Sequence, residues 1–92
     1  MSIDLSGRTA LVTGGNRGIG LAVVKALADA GADVTFTARS EASASAAIET
    51  LGEGSKVASA ICDVTDRDRL RAVMAAPFDI LINNAGIVDP VG

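Results

Sequence analysis

Three glycines are the residues whose type and spacing first suggest chemistry in this 92-residue chain. Gly14, Gly18 and Gly20 are spaced Gly-x-x-x-Gly-x-Gly, between the apolar run Thr9–Val12, which predicts a buried strand, and a helical pattern. Backbone N–H groups at a helix start lack partners and carry partial positive charge, so they attract anions. The glycines allow a tight turn, a close phosphate and close contact between helix and strand. This order predicts a site for the diphosphate of a dinucleotide.

Two other interpretations of this glycine turn compete with the dinucleotide site. The first is a plain structural turn that binds nothing. The second is a nucleoside triphosphate loop, since Gly15 and Gly20 have the separation that such a loop requires. That loop also needs Lys and then Ser or Thr after its second glycine, where this chain has Leu21 and Ala22. The sequence therefore excludes the triphosphate loop and leaves the structural turn as an alternative.

Composition narrows the class of protein. The length allows one domain, which we expect over residues 1–92, and the 49% share of apolar residues is typical of a chain with a core. The net charge of -3 argues against a nucleic-acid partner. No stretch resembles a membrane span or a secretory signal, so we expect a cytoplasmic protein with no membrane partner. The chain has one cysteine and no histidine, and we expect no metal site.

The elements that must position the glycine turn follow from hydrophobic periodicity. The predicted strands are Thr9–Val12, Asp33–Thr37, Val57–Cys62 and Phe78–Ile82. The predicted helices run from near Ile19 to a cap at Gly31, from Glu41 to Leu51 after a cap at Ser40, and from Thr65 to Pro77. The residues expected to face inward are Ile19, Val23, Ala26, Leu27 and Ala30 in the first helix and Leu70, Val73 and Met74 in the third. The alternation βαβαβαβ predicts an α/β fold with a parallel sheet.

A polar cluster follows each predicted strand. After the glycine turn come Ala38-Arg39-Ser40, then Asp63-Val64, and then Asn83-Asn84-Ala85-Gly86. Parallel strands end at the same edge of a sheet, and such sheets bind their ligands outside that edge. The four clusters therefore predict one binding site rather than four separate turns.

These motifs together resemble those of the short-chain dehydrogenases/reductases. The resemblance covers essentially the whole chain and is carried by Thr13-Gly14-x-x-x-Gly18-x-Gly20, by Asp63-Val64 and by Asn83-Asn84-Ala85-Gly86. It implies a Rossmann-type doubly wound parallel sheet with strand order 3-2-1-4, truncated after the fourth strand. In that order Ile80, Leu81 and Ile82 would form an uncovered apolar edge that is able to associate.

The resemblance also implies a role for each motif residue. The residues that would line the phosphates and the nicotinamide-side ribose are Asn16, Arg17, Gly18 and Ile19. The residues that would form a wall of the adenosine ribose site are Asn83, Ala85 and Gly86. Asp63 and Val64 would meet the adenine, with the Asp63 carboxylate accepting a hydrogen bond from the adenine amino group.

Arg39 bears on the choice of cofactor. In dinucleotide-binding folds an acidic residue about 20 positions past the turn binds the ribose hydroxyls and repels a 2′-phosphate. This chain has no acid in its Thr37–Ser40 segment. Arg39, with Arg17 and a further hydrogen bond from Ser40, could hold that phosphate, because a guanidinium presents paired donors. We therefore predict a preference for NADP(H) over NAD(H); the alternative is that Arg39 is simply a solvent-facing charge.

The chain departs from the family in its catalytic residues. Family members use a serine, a tyrosine and a lysine four residues after the tyrosine, but this chain has no tyrosine, and Lys25 and Lys56 precede the expected region. We therefore expect the chain alone to be inactive, as the NADP(H)-binding portion of a homo-oligomeric oxidoreductase that transfers hydride between nicotinamide and a carbonyl/alcohol substrate. The alternatives are a non-catalytic dinucleotide-binding module and a structural fragment.

Overall fold

The computed structural model describes residues 4–14, 18–52, 56–62 and 66–83. Its elements in chain order are β1 (Thr9–Thr13), α1 (Gly18–Asp29), β2 (Asp33–Ala38), α2 (Glu41–Leu51), β3 (Val57–Ile61), α3 (Arg67–Met74) and β4 (Ile80–Asn83). The predicted alternation of strands and helices is confirmed. The N-cap of the third helix is Asp66, one residue after the predicted Thr65, because the Asp66 Oδ1 accepts a hydrogen bond from the Arg69 N–H at 3.1 Å. The helix ends at Met74, before Pro77.

The four strands form one parallel sheet in the order β3-β2-β1-β4, as the resemblance implied. Val12 in the central strand β1 pairs with Phe36 on one side and with Ile82 on the other. The chain reaches β3 at one edge and then crosses to β4 at the other. The strand order therefore reverses beside β1, which is the point at which sheets of this kind bind ligands.

One face of the sheet, here called the first face, carries most of the core. In-register residues of parallel strands point to the same side, and those buried on this side are Ala10, Val12, Val34, Phe36 and Ala38. Val24 from α1 and Ala44 and Ala47 from α2 pack against them. The small alanine side chains allow α2 to approach the sheet closely, so that Phe36 has no exposed surface.

The buried side of α1 differs from the prediction at two of the five residues, while Val23, Leu27 and Ala30 are half-buried. Ile19 is 69% exposed and Ala26 is also exposed, whereas the buried residues of the helix are Gly20 and Val24. The reason is that Gly20 has no side chain and permits close approach, so the stripe facing the sheet runs through it rather than through the bulky residue beside it. Leu27, which was predicted to face inward, is half-buried against the core.

The opposite face, here called the second face, is less completely covered. Leu11 and Thr13 are buried on it, but none of the α3 residues is buried. Met74 was expected to face inward and is instead 36% exposed, because α3 does not pack deeply enough to cover its last turn. Leu81 in β4 is 50% exposed, so the predicted uncovered apolar edge is found at this residue only. The prediction is wrong for Ile80 and Ile82, because their side chains lie on the first face and are half-buried against its core.

At the amino end of the sheet, where the strands begin, β1 and β4 are joined by reciprocal hydrogen bonds. The Thr9 N–H donates to the Asp79 carboxylate at 2.9 Å, and the Asp79 N–H donates to the Thr9 carbonyl at 2.9 Å. The hydrogen bond from the Thr9 N–H lowers the pKa of Asp79 below its ordinary value, against a smaller effect of desolvation. These bonds set the register that places Asn83 beside Thr13 at the other end.

A tight turn at Gly31 follows α1 at the amino end of the sheet. Gly31 has a φ of 101°, a left-handed conformation that confirms the predicted cap at this position. Its N–H donates to the Ala28 carbonyl at 3.0 Å, and the Leu5 N–H donates to the Ala30 carbonyl at 2.7 Å. The end of α1 is thereby fixed to the segment that precedes β1.

Candidate functional site

Three of the four predicted clusters have described residues at the carboxyl end of the sheet, where the strands end. Gly14 directly follows β1, Arg39 directly follows β2, and Asn83 is the last residue of β4. Because these three strands are neighbours in the sheet, the residues lie at one edge. The structure therefore brings together the glycine turn, the residue that was predicted to select the cofactor and the start of the asparagine motif.

Gly14 is attached to the neighbouring strand by a buried hydroxyl. Its N–H donates a hydrogen bond to Thr37 Oγ1 at 2.8 Å, and Thr37 is 1% exposed. On the other side of β1, the Thr13 hydroxyl donates to the Ile82 carbonyl at 3.4 Å. Side-chain hydroxyls thus connect β1 to both of its neighbours at this end.

The first turn of α1 follows the glycine turn. Gly18 is the first residue of the helix and is exposed, and Ile19 is the next. Ile19 was predicted to line the cofactor, and its 69% exposure leaves an apolar surface at this end of the sheet. Gly20 is buried, and its contact with the neighbouring strand stays a prediction.

Arg39 and Ser40 are both exposed between β2 and α2. Ser40 is the N-cap of α2, as the sequence predicted, and its Oγ accepts a hydrogen bond from the Ser43 N–H at 3.1 Å. The Ser40 and Ser43 hydroxyl oxygens are 2.7 Å apart, and either can be the donor. When Ser43 donates, the Ser40 hydroxyl hydrogen is directed elsewhere and can reach a ligand.

Part of the predicted site lies outside the described residues. The residues that lie outside the described part of the chain are Asn16, Arg17, Asp63, Val64, Ala85 and Gly86. For Asn83 the structure gives the strand position and not the side chain. The described site is therefore the edge formed by Gly14, the start of α1 and the Arg39–Ser40 segment.

Other kinds of site find no support among the described residues. No three or more His, Cys, Asp or Glu side chains there form a group that could hold a metal ion. Within the same ranges, no helix has the length and apolar character needed to cross a membrane. A groove of about 340 Å³ lies between α2 and β3 and is lined by Glu41, Ala44, Ser45, Ile48, Ser59 and Ile61. That groove contains none of the predicted site residues.

Thr37 lies at this edge although no sequence motif pointed to it. Its β-propensity predicted only a place in a strand, yet its hydroxyl accepts a hydrogen bond from Gly14 of the glycine turn. Its position in the sequence could have indicated this role. A polar residue at the end of the predicted second strand lies at the carboxyl edge of the sheet, as the glycine turn does. Using that position requires the register of β1 against β2, which the sequence alone did not provide.

A match to one protein family covers most of the chain. The sequence pattern that defines the family described as short chain dehydrogenase matches residues 8–92. This chain belongs to the short-chain dehydrogenase family, and the predicted resemblance is confirmed.

Two curated relatives are similar to this chain over nearly its whole length. The chain is 48% identical over 91 residues to gluconate 5-dehydrogenase of Gluconobacter oxydans (strain 621H), covering 91% of this chain and 36% of that protein. It is 43% identical over 91 residues to a 3-oxoacyl-acyl-carrier-protein reductase of Vibrio harveyi, covering 92% of this chain and 36% of that one. The chain thus spans about a third of the length of these curated relatives.

A solved structure gives the same result for the fold. The crystal structure of L-sorbose reductase from Gluconobacter frateurii, complexed with NADPH and L-sorbose, is similar with a TM-score of 0.82 and 33% sequence identity. The similarity covers 97% of this chain and 37% of that one. The Rossmann-type arrangement predicted from the motifs is therefore confirmed.

Proposed function

We propose that this chain binds NADP(H) in preference to NAD(H) and supplies the cofactor site of an oxidoreductase that transfers hydride between nicotinamide and a carbonyl/alcohol substrate. The observation that carries the proposal is the placement of Gly14 and the exposed Arg39 at the ends of neighbouring strands. Family membership favours this function over a non-catalytic module. The NADPH in the L-sorbose reductase structure supports the choice of cofactor.

The diphosphate would lie against the first turn of α1. Exposed Gly18 begins that helix, where free backbone N–H groups and the helix dipole favour an anion. The motif residues proposed to complete the site are Asn16, Arg17, Ile19, Asp63, Val64, Asn83, Ala85 and Gly86. Gly14 and Gly20 would give the turn its shape, the first at its start and the second against the sheet.

Arg39 would bind the 2′-phosphate that distinguishes NADP(H) from NAD(H). The side chain is exposed at the end of β2, and its planar guanidinium can present two parallel donors to a phosphate. A charge-assisted hydrogen bond contributes roughly 1.5–3 kcal/mol, which corresponds to about 10- to 100-fold in affinity. Ser40 would add a donor while it continues to cap α2.

Hydride chemistry is supplied by the nicotinamide itself when the dinucleotide is bound. The residues of this chain would bind and orient the dinucleotide at the edge of the sheet. The sequence contains no tyrosine, although the family pattern uses one for proton transfer. We therefore expect this chain alone to bind cofactor without turning over a substrate. For the whole protein we propose a cytoplasmic homo-oligomer that acts on a small molecule.

The test is a fluorescence titration of the chain with NADPH and with NADH, repeated for Arg39→Ala. We expect the variant to bind NADPH about 10- to 100-fold more weakly and to bind NADH unchanged. The matched control is Lys56→Ala, which removes the same charge from an exposed residue just before β3, at the amino end of the sheet. It should leave both affinities unchanged.

Two results would contradict the proposal in different ways. An unchanged ratio of NADPH to NADH affinity in Arg39→Ala would remove this residue from cofactor selection. Failure of the unaltered chain to bind either dinucleotide would overturn the cofactor site itself. Circular dichroism of each variant shows whether a loss of affinity reflects a loss of fold.

A further inference from the structure

The buried Thr37 hydroxyl joins β2 to Gly14, the first residue after β1. Thr37 is 1% exposed, and a hydroxyl removed from water needs a hydrogen-bond partner. That partner is the N–H of Gly14, at 2.8 Å and 23 positions earlier in the chain. The bond is thus a long-range contact between two segments rather than a local turn.

The hydrogen bond between Gly14 and Thr37 lies outside the backbone pairing of β1 with β2. The paired registers of β1 and β2 extend to Val12 and Phe36, and Gly14 lies beyond them, where the chain leaves the sheet. Its φ is 67°, in the left-handed region that glycine adopts more readily than any other residue. Glycine also has the greatest backbone freedom of all residues. A side-chain hydrogen bond to its N–H therefore limits the direction in which the turn departs.

Resting on the proposed function, we infer that Thr37 is a positioning residue for dinucleotide binding, through its hydrogen bond to the N–H of Gly14. A turn that is already ordered loses less conformational freedom when it binds a ligand, and this raises affinity. Arg39 lies two residues beyond Thr37 at the end of the same strand. Thr37 thereby connects the diphosphate turn to the segment that would hold the 2′-phosphate.

A positioning role for Thr37 predicts how its loss affects the choice between NADPH and NADH. Because the diphosphate is common to both dinucleotides, loss of the Thr37 hydroxyl should weaken NADPH and NADH equally. Arg39→Ala, in contrast, should weaken NADPH alone. For the loss of one hydrogen bond that orders the turn, we expect about a 3- to 10-fold increase in both dissociation constants.

The experiment compares variants of the whole chain that differ at one hydroxyl. Thr37→Val replaces the hydroxyl with a methyl group of similar size, and Thr37→Ser keeps it. The control is Thr35→Val, the same change two residues earlier on the same strand and on the same face of the sheet. NADPH and NADH are titrated by fluorescence, and the exchange rate of the Gly14 amide hydrogen is measured by NMR without ligand.

We expect Thr37→Val to weaken both dinucleotides and to speed exchange at Gly14, while Thr37→Ser and Thr35→Val behave like the unaltered chain. If Thr37→Val does not fold, Thr37→Ala compared with Thr37→Ser isolates the same hydroxyl. Equal NADPH affinity in the hydroxyl-free variant and the unaltered chain would overturn the role of Thr37 alone. Failure of the unaltered chain to bind either dinucleotide would overturn the proposed function as well.

Discussion

At the carboxyl end of the sheet a buried Thr37 hydroxyl meets the N–H of Gly14, whereas at the amino end an exposed Asp79 carboxylate meets the N–H of Thr9. The first contact joins β1 to β2 and the second joins β1 to β4. A threonine hydroxyl does not titrate near neutral pH, but a carboxylate loses its charge in acid. Of these two contacts, only the one at the amino end, away from the candidate site, is therefore expected to weaken in acid.

The two ends also differ in what their polar groups are free to do. At the amino end, backbone groups are used within the protein, as in the Asp33 N–H bond to the Arg8 carbonyl at 2.9 Å. At the carboxyl end, Arg39 and Gly18 are exposed beside the strand ends. The comparison indicates that substitutions at the amino end should change stability, while those at the carboxyl end should change binding.

The largest effect is expected from Phe36→Ala. This substitution should reduce both stability and NADPH binding, because it disrupts the core that supports both ends of the sheet. Phe36 is fully buried on the first face, and removal of a buried phenyl ring costs about 3–5 kcal/mol of unfolding free energy. Urea unfolding should show this loss, and NADPH binding should fall in parallel as the folded fraction decreases. A loss of under about 1 kcal/mol would contradict the assignment of Phe36 to the core.

A smaller effect, confined to the amino end, is expected from Gly31→Ala. The φ of 101° strains any residue with a side chain, and a Cβ atom would lie 2.8 Å from Ser6 Oγ and 3.2 Å from the Ser6 backbone nitrogen. We expect a loss of about 1–3 kcal/mol in unfolding free energy, measured in urea. NADPH affinity of the folded variant should be unchanged, and a selective loss of affinity would break the proposed separation of the two ends.

The smallest effect, and the one that depends on pH, is expected from Asp79→Asn. The hydrogen bond from the Thr9 N–H lowers the pKa of Asp79 from its ordinary value of 3.8, so its ionised form is favoured by folding. The resulting stabilisation is present above the unfolded-state pKa and is lost as the pH falls through the lower, folded-state pKa. Asp79→Asn should therefore lower the unfolding temperature at pH 7 and reduce its decline in acid.

The comparison for that experiment is Thr9→Val, which keeps the backbone N–H donor to Asp79 and removes the hydroxyl, whose hydrogen bond to the carboxylate is a smaller cause of the lowered pKa. Its unfolding temperature should therefore decline in acid slightly less steeply than that of the unaltered chain, and more steeply than that of Asp79→Asn. An Asp79→Asn variant with the same decline as the unaltered chain would show that other carboxyl groups govern the acid response.

The sequence was sufficient to predict features that depend on local pattern. Apolar periodicity identified the seven elements within the part of the chain that the structure describes, and the residue types at Ser40 and Gly31 identified a helix cap and a helix end. These succeeded because the conformational preference of each residue agrees with its place in the fold.

Features that depend on contact between distant segments were not predicted. Ile19 was expected to face inward because it continues the helical spacing of the apolar residues in α1, but the residue buried there is the adjacent Gly20. The Gly14–Thr37 and Thr9–Asp79 hydrogen bonds depend on strand register, and residue types alone do not set it. The candidate site was therefore predicted as a set of motifs, without the bonds that hold them in place.

The position of β1 has a consequence for how the chain is made. It pairs with β2, which follows after one helix, but its bonds to the start of β4 join residues 70 positions apart. During translation β1, β2 and β3 can assemble while one side of β1 still lacks its neighbour. Such distant pairings slow folding, so the nascent chain exposes an unpaired central strand until β4 leaves the ribosome, and aggregation competes with folding during that interval.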